Sequence, residues 1–171
     1  MSAEASVSQM GDMARMASWD DVRAANPHLA ARGRALLERT GAGEGLLTTV
    51  AGDALPRTHP VNVGIVDGRL LTFVQAGSAK ARDLSIDGRY ALHAHQDPAV
   101  PHEFLLRGRA RPLTDATVRS RAVEGWPFSA DDSYDPYELQ IAHALFGERG
   151  DADAWPPHYT SWRAPGAMAE T

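Results

Sequence analysis

The octapeptide Gly77 to Leu84, GSAKARDL, holds the only lysine of the chain, against sixteen arginines. Glycine, then a serine able to cap a short helix, then a lysine two residues on, suits a small anion. Free N–H groups at a helix start point outward, Ser78 adds a hydroxyl, and Lys80 supplies a compact, mobile ammonium. A phosphomonoester carries about −1.5 to −2 charges at neutral pH and needs partners of this kind. Only one phosphate is served, because the chain contains neither the Gly-rich loop of a nucleoside triphosphatase nor a GxGxxG turn.

Other residue groups point less far. His93 and His95 stand at i and i+2, a spacing that can share a metal with a carboxylate such as Glu103. Ordinary strand histidines facing solvent or a subunit interface explain the same spacing, and no metal is assigned to them. GAGEG before the first strand lacks the lysine of a phosphate loop, and SADDSYD lacks a full calcium loop. No GxSxG nucleophile elbow occurs.

These residues must be held by an antiparallel framework. Ser18 and the following acidic residues open a helical segment that Asn26-Pro27 interrupts and that ends near Gly41. Short β-rich runs follow: LLTTV, PRTHPVNVGIV, and RLLTFV after an Asp67-Gly68 hairpin turn. Alternation puts His59, Val61, Val63 and Ile65 on one face of the second run, with Thr58, Pro60, Asn62 and Gly64 on the other. RYALHAH and HEFLLRGRARPL read as strands, TDATVRSRAVEG as a short helix ending at Gly125, and WPFSADDSYDP as loop. YELQIAHALFGE and HYTSW are expected to be strands around an acidic loop, although the first also suits a helix. About six strands joined as hairpins close naturally into a small antiparallel barrel.

The stretch PRTHPVNVGIVDGRLLTFVQAGSAKARDLSIDGRYALH resembles the flavin-binding split-barrel family of the pyridoxamine 5'-phosphate oxidases. The matching residues are Arg57, Pro60 and Val61, the Asp67-Gly68 hairpin, and Ser78, Lys80, Asp83 and Leu84. The order and spacing agree from Leu46 to the C-terminal YTSWRAPG. That resemblance implies a mostly β fold with short helices: a six-stranded antiparallel split β-barrel in a homodimer, with FMN sites at the interface. It implies that Ser78 and Lys80 hold the FMN phosphate, and that Arg57 and the strand through Val61 run along the isoalloxazine ring. Phe73 and Val74 would lie by the ribityl chain, Glu103 would reach the flavin from the other subunit, and Trp162 would close the site. His59 and Pro60 lie inside the stretch that flanks the ring, where His59 has the chemistry to donate a hydrogen bond or proton. The chain departs from true pyridoxamine phosphate oxidases at Ala79, where they carry arginine, and at Val74, where they carry a polar residue. SWRAPG also keeps only an arginine of their substrate-holding segment, which argues against vitamin-B6 oxidation. The weaker phosphate grip makes deazaflavin the alternative cofactor. The implied activity is a flavin-dependent oxidation or reduction of a small organic molecule, with a non-catalytic flavin carrier as the alternative.

Composition sets the outer limits. A chain of 171 residues fits one domain, expected over residues 18–166, with a flexible arm over 1–17 and a tail over 167–171. The absence of cysteine excludes disulfides, thiolate metal sites and cysteine nucleophiles, and fits a cytoplasmic protein. A net charge of −5 argues against nucleic acid as a partner. No apolar run approaches the roughly 20 residues of a membrane span, so no membrane association is expected.

Overall fold

A computed structural model describes residues 16–165. Two helices, α1 (Trp19–Ala25) and α2 (Pro27–Leu37), precede β1 (Glu44–Val50), β2 (Pro56–Val66) and β3 (Arg69–Gln75). Helix α3 (Ala79–Ile86) leads to β4 (Arg89–Ala94) and β5 (Glu103–Pro112), then α4 (Ala116–Glu124), β6 (Tyr134–Glu148) and β7 (His158–Arg163). Ser18 caps α1 in a reciprocal box with Asp21, and Pro27 at the first position of α2 forces the expected break between the helices. The last residues of the expected arm do not hang free: Ala17 is buried and bridges Ile141 of β6. The expected tail lies outside the described residues.

Every strand pairing is antiparallel, in the order β3-β2-β1-β4-β5-β6-β7, and β3 also pairs with β6. Six of the seven strands therefore form a ring, and the seventh extends it. The branch is made by β6, whose 15 residues exceed the span of any single neighbour. On one edge Tyr134–Glu138 pair with β3, while His143–Glu148 pair with β7. On the other edge β5 follows it along Tyr137–Gly147. YELQIAHALFGE is thus strand, not helix: its alternating burial satisfies a sheet with one face on the core. The strand starts earlier than expected, at Tyr134, because Tyr134-Asp135-Pro136 continue the ladder with β3 inside what reads as loop.

The barrel interior is filled by Leu47, Leu70, Leu92, Leu106, Leu139 and Ile141, with Trp19 and Val22 of α1 packed on it. Burying each such side chain stabilises the fold by about 1.5–3 kcal/mol relative to leaving it in water. A second cluster around Leu71, Phe73, Leu113 and Val118 seats α4 on the outside of β3. Among the described residues no helix is long and apolar enough to cross a membrane.

Candidate functional site

Strand β2 changes partner along its length. Val63–Val66 pair with β3, but Pro56–Asn62 pair with β1 alone. Beyond Thr72, β3 no longer pairs with β2, while its other edge stays on β6 from Leu71 to Gln75. The two strands open into a fork, and the far edge of β2 is left without a ladder partner. Two of its carbonyls are met by side chains instead: Thr72 donates its hydroxyl to Asn62 O at 2.9 Å, and Lys80 donates to Pro60 O at 3.5 Å.

Helix α3 stands across this fork. Gly77, at φ 71°, turns the chain out of β3 through a conformation that favours glycine. Ser78 caps the helix by accepting from Ala81 N at 3.2 Å. The helix is anchored from below by Asp83, which is only 3% exposed. Asp83 accepts the Thr49 hydroxyl from β1 at 2.8 Å and lies 3.5 Å from Arg57 Nε of β2. Ala81 and Leu84 enter the core on the same side. With Asp83 engaged below, Lys80 is left on the fork side, forming no ion pair among the described residues. Burial pulls the Lys80 ammonium below its ordinary pKa.

His59 shares the inner face with Arg57 and Val61, as the alternation predicts: Leu47, opposite it on β1, points into the core. Its Nε2 is buried and has no hydrogen-bond partner among the described residues. Burial, and then the Lys80 ammonium, hold the imidazole below its ordinary pKa, while Asp83 pulls it upward. On the opposite face of β2 a cavity of about 200 Å³ is lined by Glu44, Pro60, Val61, Asn62 and His95.

The structure therefore brings Arg57, His59, Pro60, Val61, Ser78 and Lys80 to one fork. Phe73 and Val74 border it, but both side chains are buried in the two cores, which leaves only their backbone to face a ligand. Glu103 and Trp162 are elsewhere in the chain. Glu103, on β5, is three ladder steps from β2, roughly 14 Å along the sheet. It accepts the Tyr159 hydroxyl at 2.9 Å. Trp162, on β7, lines a separate cavity of about 520 Å³ with Met16, Ala17 and Ala164. His93 turns its Nδ1 to Ala94 O at 2.6 Å, and among the described residues no group of three or more His, Asp or Glu is gathered as a metal set.

Two residues matter here that sequence reasoning did not single out for the site. Thr49 has no local signal, since its partner is on a helix thirty-four residues later. Trp126 lies in a segment read as loop, yet its ring packs on Phe73 at 4.7 Å between centroids and against Gly64, at the base of the fork. The apolar Trp-Pro-Phe run inside a polar loop is the trace it leaves in the sequence.

Chemically, the fork offers a lysine without a carboxylate, a helix start, a half-buried histidine and an unladdered strand edge. That combination fits a ligand with an anionic end and a flat polar body.

No family model matches the sequence, and no match to a curated protein was found. Solved structures do share the architecture. A heme-binding protein from Mycobacterium smegmatis superimposes with a TM-score of 0.57 at 17% identity, over 78% of this chain and 57% of that one. A NimC/NimA family protein from Clostridium acetobutylicum gives 0.56 at 18% identity, over 75% and 91%. A protein related to general stress protein 26, of the pyridoxinephosphate oxidase family and also from Clostridium acetobutylicum, gives 0.54 at 12% identity, over 77% and 95%. With the branched β6, the ring closed by β3 and the fork under α3, the chain has the split β-barrel fold of the pyridoxamine 5'-phosphate oxidase-like proteins.

Proposed function

We propose that the chain binds FMN in the fork between β2 and β3 and serves as a flavin-dependent oxidoreductase for a small organic molecule. The observation that carries this reading is Lys80, held over the open edge of β2 at Pro60 by a helix whose own carboxylate is turned inward to Thr49 and Arg57. Lys80 and the capped start of α3 take the phosphate, and the edge of β2 from Thr58 to Asn62 lines the flavin ring with backbone groups. Bound flavin supplies electron and hydride transfer; the chain supplies binding, orientation and exclusion of water. No side chain in the fork has to be an indispensable acid or base.

The complete site belongs to a homodimer. Glu103 stands three strands from β2 and Trp162 lines a separate cavity, and in this reading both act on the FMN of a second copy. The outer face of β2, β1 and β4 presents Pro60, Leu46 and His93 in one row, and Leu46 is 37% exposed there. In this reading the partner copy covers that row. A second reading, deazaflavin in the same fork, is favoured by Ala79, which leaves a single lysine where the resemblance leads one to expect an arginine beside it.

Titration of the protein with FMN and with riboflavin, followed by quenching of flavin fluorescence, tests the reading. FMN is expected to bind and riboflavin to bind much more weakly. Equal affinity for the two would remove the phosphate from the account.

A further inference from the structure

The charges around the fork do not balance a phosphate. Arg57 is committed to Asp83, at 3.5 Å, and these two formal charges cancel. That leaves the Lys80 ammonium against an incoming monoester of about −1.5 to −2. A dianion brought into a partly buried site with one matching cation keeps an uncompensated charge, which is costly.

Arg82 is exposed on α3 and turned to Gly77 O, so the group with a buried nitrogen that is placed to add charge inside the fork is His59. It lies on β2 between Arg57 and Val61, and its Nε2 is buried without a hydrogen-bond partner among the described residues. The charged groups that act on it are Lys80 and Asp83 from α3 and Arg57 from its own strand. From β1 it faces Leu47 and Thr49, which carry no charge. In the free protein Lys80 and Arg57 disfavour an imidazolium there. An anion seated on Lys80 reverses the sign of that field.

We propose that His59 is the second cationic partner of the phosphate, beside Lys80, and that the ligand binds together with one proton taken up on its imidazole. This rests on the FMN reading of the fork and adds to it a specificity element: the site selects a dianionic phosphomonoester over a neutral flavin by recruiting a proton. It also gives the buried, unpartnered nitrogen of His59 a use.

The test is the FMN dissociation constant of the whole protein between pH 8 and 6.5, with the proton count from calorimetry in two buffers of different ionisation enthalpy. Wild type is expected to bind more tightly as pH falls, by up to tenfold per pH unit for one linked proton. In calorimetry it should take up a substantial fraction of a proton per FMN. The phosphate's own protonation, with a pKa near 6, works in the opposite direction and is common to all variants. His59→Gln is expected to lose the extra pH slope and the proton uptake. Because the wild-type calorimetry stands alone, the inference remains falsifiable if that variant does not fold. FMN binding without proton uptake, or with the same slope in His59→Gln, overturns this inference and leaves the FMN site standing. Absence of FMN binding at every pH overturns both.

Discussion

Thr49 donates its hydroxyl to the Asp83 carboxylate at 2.8 Å, joining the middle of β1 to the underside of α3. Both residues are buried, and the contact decides where the helix sits over the fork. Lys80 is three residues earlier on the same helix, so the position of its ammonium depends on this anchor.

Removing that carboxylate therefore acts twice. Asp83→Ala leaves the Thr49 hydroxyl buried and unpaired, which costs about 2 kcal/mol. For a chain of this size the melting temperature is expected to fall by roughly 4–8 °C. FMN binding should weaken as well, although Asp83 does not face the ligand. A thermal melt with a parallel FMN titration measures both, and an unchanged melting temperature would show that the contact does not anchor the helix.

Lys80→Ala should separate binding from folding. Its only hydrogen-bond partner among the described residues is Pro60 O at the long distance of 3.5 Å, so stability is expected to stay the same. Loss of a charge-assisted hydrogen bond of about 1.5–3 kcal/mol weakens FMN about 10- to 100-fold. Riboflavin affinity should not move. An FMN dissociation constant equal to that of wild type would reduce Lys80 to a surface charge.

The base of the fork is sensitive to volume. A Cβ on Gly64 would come within 2.8 Å of the Trp126 ring, which is itself packed on Phe73. Gly64→Ala is expected to destabilise the protein by about 1–3 kcal/mol, read from denaturant unfolding. Adding Trp126→Ala to it should cost less than the sum of the two single changes, because the clash is already gone. Strict additivity would mean that the two residues do not meet.

His59 also predicts a pH dependence of stability without ligand. Its folded pKa is lowered, so below about pH 6.5 the unfolded chain binds more protons than the folded one. Stability should then decline as the pH falls through and below that value, until the folded imidazole is itself protonated. His59→Gln should show less of this decline. Unfolding curves at pH 7.5 and 5.5 for both proteins give the comparison, and identical losses in the two would assign the effect to other groups.

Leu46→Glu tests the second copy. Wild type is expected to run at twice 18.4 kDa by light scattering, and the variant at the single mass with most FMN affinity lost. A monomeric wild type that binds FMN fully would remove Glu103 and Trp162 from the site.

Much of this was legible in the sequence because it is local. The break at Pro27, the Asp67-Gly68 hairpin, the Ser78 cap and the alternation along β2 each depend on residues within a few positions of one another. The double use of β6 was not legible, since nothing in YELQIAHALFGE says that its edge serves β3 first and β7 later. For the same reason Thr49 and Trp126 were silent: their roles come from partners on other strands. Phe73 and Val74 border the fork, but their side chains are used by the cores, which the alternation alone does not tell. The Ser-x-Lys spacing marked a cation, whereas only the fold shows Asp83 engaged by Thr49 and Arg57.

The central claim is that Lys80 and its fork hold FMN. The most direct measurement is an absorption spectrum of the freshly purified protein, with mass spectrometry of whatever denaturation releases. Twin flavin bands and the mass of FMN are the expected result. A deazaflavin or heme mass would keep the barrel and contradict the cofactor, and a colourless protein that also ignores added FMN would contradict the account as a whole.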